Sequence, residues 1–350
     1  MSDPGPYDLP IPPVLILSTG RCGSTMVSDL LNRHPKVLSL SEFFVPLGPE
    51  AFAWSHPDGA RMWRTLTTQS AGLHAMLKDG HAVEEALYRH DAAGARYRLA
   101  DMPPIIAVTL PHLTDQPEAL LDALEPRVRA RSRMSLADHY RALFADLAGM
   151  LGRRVWVERS GGTLMHAAKL LRLFPEARVI HVYRDGRDTA MSMGRHHNFR
   201  VLVGAILRSR RFGIDAQRPF RSDRGSPLDV MVQKAVFRML DTEKTAALPD
   251  LEDFGRFWSD LIEIGHDCFR DLPADRLLNV RFEDVQAAPR ETLRTLIRFI
   301  DPSLEDPAWL DEVAAVPRPA RSRFGDLPPE RQRSLTQACA PGLDRLGYAA

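Results

Sequence analysis

The chain reads as an α/β fold, a central parallel sheet covered by helices on both faces. Three observations predict it. Apolar runs of strand length recur at 14–18, 37–40, 154–158, 178–183 and 277–280. Helix-like stretches fill the intervals, and strand–helix–strand alternation builds parallel sheets. At 350 residues and 44% hydrophobic content, the chain can bury one large core or two modest ones.

The elements follow in order. Residues 1–13 are Pro-rich and read as a flexible tail. Val14, Leu15, Ile16 and Leu17 form the first strand, a helix over 24–33 follows two glycines, and the strand at 37–40 ends just before Glu42. From 45 to 133 the rhythm breaks, with Trp54, Trp63 and loops at Pro103, Pro104 and Pro111; this reads as a helical insertion placed for ligand recognition. An amphipathic helix over 135–151 precedes the strand 154–158, and a helix over 163–174 precedes the strand 178–183. A helix from Gly186 to Met193 comes next. Residues 195–228 read as a second recognition insertion, because arginines from Arg195 to Arg224 are opposed only by Asp215 and Asp223. Helices near 229–246 and 253–270, the strand Leu277 to Val280 and a helix over 289–300 complete a single domain from 14 to 350, with no internal repeat.

Two segments carry the chemistry. In the first, Gly20 and Gly23 allow a tight turn after the first strand, and Ser24 and Thr25 open a helix. Free N–H groups and the positive end of the helix dipole would face one anion, with the Arg21 guanidinium above it. The Walker nucleotide loop places a lysine directly before its hydroxyl residue, and that hydroxyl holds Mg²⁺. Here Gly23 meets Ser24 directly and the cation is Arg21, so the loop is P-loop-like in a three-layer fold but suits an anion that needs no metal. In the second segment the strand 178–183 ends at Arg184, and Ser192 follows eight residues later in a helix. Both can reach one phosphate at the carboxyl edge of the sheet.

Together these segments resemble the PAPS-dependent sulfotransferases. STGRCGST resembles that family's 5′-phosphosulfate loop, and RDGRDTAMS its 3′-phosphate motif, with Arg followed by Ser at the same interval. The block FPEARVIHVYRDGR, RFEDVQAAPRETL at 281–293 and a C-terminal DRLGY extend the resemblance from Val14 to Tyr348, weakest between about 45 and 150. It is closest to the membrane-type and tyrosyl-protein branches and their bacterial relatives.

The resemblance implies a donor, 3′-phosphoadenosine 5′-phosphosulfate (PAPS), that leaves as PAP and requires no metal. Arg21, Cys22, Gly23, Ser24 and Thr25 would surround its 5′ end, and Arg184 and Ser192 its 3′-phosphate. Glu42 stands where the tyrosyl-protein branch has a catalytic glutamate; the alternative is a helix-start carboxylate after Ser41. Arg159 aligns with a catalytic lysine of the relatives and would act electrostatically, unless it simply pairs with neighbouring Glu158. Ser322-Arg323-Phe324 resembles a Ser-Lys-Trp element, making Arg323 a cation that closes over the donor. His112 is a rival base through its Thr-Leu-Pro-His-Leu context, or else a packing residue. His196 and His197 read as solvated.

Charge and composition limit the partners. Lys+Arg of 46 against Asp+Glu of 45 leaves no net basic field, which argues against nucleic acid. Cys22, Cys268 and Cys339 are too scattered for a disulfide framework or a zinc site, although a thiol beside Arg21 would be activated. With no signal peptide and no apolar run of membrane-spanning length, the sequence reads as cytoplasmic. The acceptor is left open among small molecules, lipids and glycans. A P-loop kinase using ATP and Mg²⁺, or a non-catalytic nucleotide-binding protein, are the alternative readings.

Overall fold

The computed structural model describes residues 7, 9–78, 86–319 and 321–349. Five strands, β1 (Val14–Ser18), β2 (Val37–Ser41), β3 (Val155–Arg159), β4 (Arg178–Tyr183) and β5 (Leu277–Arg281), form one sheet in the order β2-β3-β1-β4-β5. Every pairing is parallel. The loops after all five strands therefore leave from one edge, which is where ligands bind in sheets of this kind.

Period-two geometry explains the two-sided core. Val14 and Ile16 of β1, with Val155 and Val157 of β3, face a layer that contains Leu30, Leu31, Ile297 and Trp309. Leu15 and Leu17, with Trp156, face the opposite layer, built around Phe43, Phe144, Phe174 and Trp258. Helix α1 (Ser24–Asn32) and the helices Pro289–Ile300 and Pro307–Ala314 supply the first layer. The helices Leu136–Leu151, Ala167–Leu173 and Leu251–Phe269 supply the second.

The predicted strands are all present, and several boundaries are corrected. The helix expected over 163–174 divides into a 3₁₀ turn, Thr163–His166, and the helix Ala167–Leu173. The helix expected near 229–246 breaks at Leu240 and Asp241, where Asp241 caps a new helix by accepting from the Lys244 amide. The expected tail lies partly outside the described residues, but its end is not flexible: Ile11 is buried in the α1-side core, and the Arg178 N–H donates to the Pro13 carbonyl at 2.9 Å. The insertion over 45–133 is helical as expected, its described helices including Gly59–Thr67, Ala71–Lys78 and Pro117–Arg129.

Candidate functional site

The loop after β1 makes an anion cradle. Gly20 (φ 77°) and Gly23 (φ 86°) adopt left-handed backbone, and a Cβ on Gly23 would overlap the Phe282 ring. No side chain caps α1 and its first turn holds no acid. Among the described residues, the N–H groups of Gly23, Ser24 and Thr25 have no protein acceptor. Three amides and the helix dipole thus face the same point. The Cys22 side chain turns the other way, fully buried, with its thiol donating to the Val182 carbonyl at 3.3 Å. Only its backbone borders the cradle, so the activated thiol considered from the sequence is corrected.

Arg159, the last residue of β3, is the centre of the site. It is 2% exposed, and period-two geometry points it toward α1, away from Glu158. Its guanidinium donates to Ser24 Oγ (3.3 Å), Ser41 Oγ (3.4 Å) and Thr25 Oγ1, and forms an ion pair with Glu42. The expected alternative, a pair with Glu158, is overturned. Glu158 faces the opposite core layer, where Ser160 Oγ donates to it at 2.6 Å; burial pushes its carboxyl up to about 8.

Glu42 lies outside any helix, since the next one begins at Phe44. Both its carboxylate oxygens accept the Gly161 N–H at 3.0 Å, and its own N–H donates to the Arg159 carbonyl at 2.8 Å. Among the described residues, Arg21 (φ 56°) and Glu42 (φ 51°) are the non-glycine residues with left-handed backbone. Such a backbone costs an L-residue roughly 1–2 kcal/mol and persists where the surroundings enforce it, commonly at functional sites.

The second motif sits across the cradle. Arg184 packs over the Phe282 ring at 5.4 Å, with Asp188 at 3.7 Å. Ser192, in the helix Gly186–Gly194, accepts from Arg21 Nε at 3.3 Å. The structure therefore joins Ser192 to the first-loop cation, while Arg184 stands apart on the Phe282 ring, which also fills the space beside Gly23. The segment carrying Arg323 docks here as well: its N–H donates to Asp188 at 3.1 Å, and Arg187 covers the Phe324 ring at 4.8 Å. Glu283 braces this wall, accepting from the Asp185 N–H and the Tyr348 hydroxyl, each at 3.0 Å.

His112 lies below Arg159 with its ring buried. Burial, and then the Arg159 charge, hold its imidazole down at about 4. Its Nδ1 is 3.7 Å from Asp29, and its Nε2 has no partner among the described residues. His196 is not a solvated residue: it precedes the helix His197–Arg210 half-buried and meets the Phe199 ring edge-on. Sequence reasoning missed Ser41, Gly161 and Phe282. The glycine pair at 161–162 directly after a predicted strand was the one visible signal for them.

Among the described residues there is no cluster of metal-binding side chains, and no helix is long and apolar enough to cross a membrane. No curated protein matches the chain. Among solved structures it is similar to the sulfotransferase domain from the curacin biosynthetic pathway, at 14% identity and a TM-score of 0.47 over 98% of this chain and 99% of that one. The sulfotransferase STF9 from Mycobacterium avium matches at 17% identity and a TM-score of 0.45, over 97% and 78% of the two chains. The sulfotransferase domain of the olefin synthase from Synechococcus PCC 7002 matches at 17% identity and a TM-score of 0.40, over 99% and 98%. The model of the sulfotransferase family matches residues 12–202, which include β1 to β4 and both anion motifs. With more than half of its length matched, the chain belongs to the sulfotransferase family.

Proposed function

We propose that this enzyme moves a sulfuryl group from PAPS to a hydroxyl or amine of a small-molecule, lipid or glycan acceptor. The observation that carries the reading is the Arg159 node, one buried guanidinium touching the hydroxyls at the start of α1 and the Glu42 carboxylate. It ties the anion cradle to a candidate base.

Bound PAPS supplies a sulfuryl group whose departure leaves charge on a phosphate oxygen. The amides of Gly23, Ser24 and Thr25 hold that anionic end, and Arg21 and Arg159 offset the charge; in loose in-line transfers such positioning and electrostatics do most of the catalysis. Arg184 takes the 3′-phosphate, with Ser192 orienting Arg21 between the two anion positions. Arg323 closes the site from the segment docked on Asp188. Glu42 Oε2, which accepts the Gly161 amide at 3.0 Å, takes the acceptor proton. His112 is a poor alternative, because its depressed basicity leaves little driving force at neutral pH. We assign acceptor recognition to 45–133 and 195–228 of a single domain. The free, scattered cysteines suit a reducing cytoplasm.

Calorimetry with PAP and with ATP·Mg²⁺ tests the reading. PAP should bind with clear preference; a preference for ATP·Mg²⁺ identifies a kinase instead. Glu42→Gln should then lower sulfate transfer at least about a hundredfold with PAP affinity unchanged, the range expected for a lost general base. Unchanged turnover removes Glu42 from the mechanism.

A further inference from the structure

A cavity of about 820 Å³ opens where the β2–β3 insertion meets the start of the helix Leu136–Leu151, bordered by Trp54, His56, Asp58, Arg61, Arg64 and Arg133. That helix leads into a parallel strand, so its first turn lies at the carboxyl edge of the sheet. The walls are firmly held. Gly59 donates to the Arg131 carbonyl at 3.0 Å, and a Cβ on Gly59 would strike the carbonyls of Val128, Arg129 and Arg131. On the other side, His139 Nε2 donates to the Pro57 carbonyl at 2.8 Å and the Leu136 N–H to the Ser55 carbonyl at 2.9 Å.

Charge in this cavity is unbalanced. Three guanidiniums meet one carboxylate, Asp58, which is already engaged as a helix cap by the Arg61 N–H at 2.7 Å. That amide and then the charges of Arg64, Arg133 and Arg61 hold its carboxyl below the usual range, and all three cations line the same cavity. Among the described residues, none of the three side chains makes a hydrogen bond or an ion pair. Other exposed arginines, Arg96, Arg129, Arg270 and Arg345 among them, each pair with a carboxylate. Arg61 instead lies over the Trp54 indole, 4.5 Å from its centroid, which fixes a flat apolar surface beside the cations.

We propose that this cavity binds a small molecule carrying a dianionic phosphate ester on a ring. Guanidinium forks match the oxygens of a tetrahedral dianion, and two uncompensated positive charges match its two negative ones. The indole offers a stacking surface for the ring, and the volume is that of a small-molecule site. The site is separate from the donor cradle, so it stands whether or not PAPS is the donor.

Titration calorimetry with phenyl phosphate, inorganic phosphate and phenol, on full-length protein presaturated with PAP, tests this. Phenyl phosphate should bind with one-to-one stoichiometry and phenol should not. The variant Arg61→Ala/Arg64→Ala/Arg133→Ala should lose at least tenfold in affinity while PAP affinity and melting temperature hold. Trp54→Leu should erase the preference for phenyl phosphate over inorganic phosphate. Should the triple variant fail to fold, Arg133→Glu, in an exposed loop, should give a comparable loss. Equal affinity in the arginine variants, or binding only without PAP, overturns the site; equal affinity for inorganic and phenyl phosphate in wild type overturns the ring.

Discussion

Arg159 and Arg184 stand at the ends of two strands that flank β1, yet the protein treats them differently. Arg159 is sunk among three hydroxyls and a carboxylate, its side chain 3% exposed. Arg184 lies on an aromatic ring with its nearest carboxylate 3.7 Å away and its side chain 20% exposed. The first is fixed before any ligand arrives. The second keeps donors to give. An enzyme that stabilises developing charge needs a preorganised cation, and one that binds and releases a nucleotide needs a less committed one. A single sheet edge presents one cation of each kind.

The largest test of this contrast is Arg159→Ala. Removing one partner of a buried pair leaves the other uncompensated, and the expected destabilisation is about 3–5 kcal/mol, read as a drop in melting temperature, with sulfate transfer abolished. A melting temperature within a degree of wild type would place Arg159 in the same class as Arg184.

The next concerns the neighbour of Arg159 on β3. Folded, the Glu158 carboxyl keeps its proton up to about pH 8, whereas unfolded it releases it in the usual carboxylate range. The folded form binds more protons between those limits, so this group's contribution to stability is lost as pH rises toward 8. Glu158→Gln should therefore flatten the fall in melting temperature between pH 5 and pH 8. An unchanged slope would show that Glu158 titrates normally.

Arg184→Ala should leave stability within about 0.5 kcal/mol, as expected for a side chain with few partners. PAP affinity should fall at least tenfold, about 1.4 kcal/mol, by calorimetry. The smallest effect belongs to Ser192→Ala. One hydroxyl that orients Arg21 is worth about 0.5–1.5 kcal/mol of PAP binding, and no loss would detach Ser192 from the donor site.

The sheet was legible because buried strands are unbroken apolar runs, and the cradle because Gly20, Gly23 and Ser24 follow one of them directly. Arg184 and Ser192 were singled out through their spacing. What could not be read was pairing across distance. Nothing near Arg159 in sequence says that its partner is Glu42 rather than Glu158; the alternation of β3 decides it, by sending the two neighbours to opposite faces. The left-handed backbone at Arg21 and Glu42 is likewise imposed by surroundings, since neither residue type favours it. The break at Leu240 was hidden because Asp241 caps a new helix at once, and the residues from Thr242 carry the helical pattern on.

The Phe282 ring fills the space that Gly23 leaves open and also lies beneath Arg184. On the ribosome, the loop at 20–25 emerges long before Phe282, its aromatic wall. Glu283 follows at once, and Tyr348, which donates to it, comes 65 residues later. A nascent chain can align β1 to β4, yet the cleft beside the loop at 20–25 has no far wall until Phe282 and Glu283 are made. A chain stopped before Phe282 would carry the loop at 20–25 without the aromatic wall that Gly23 packs against.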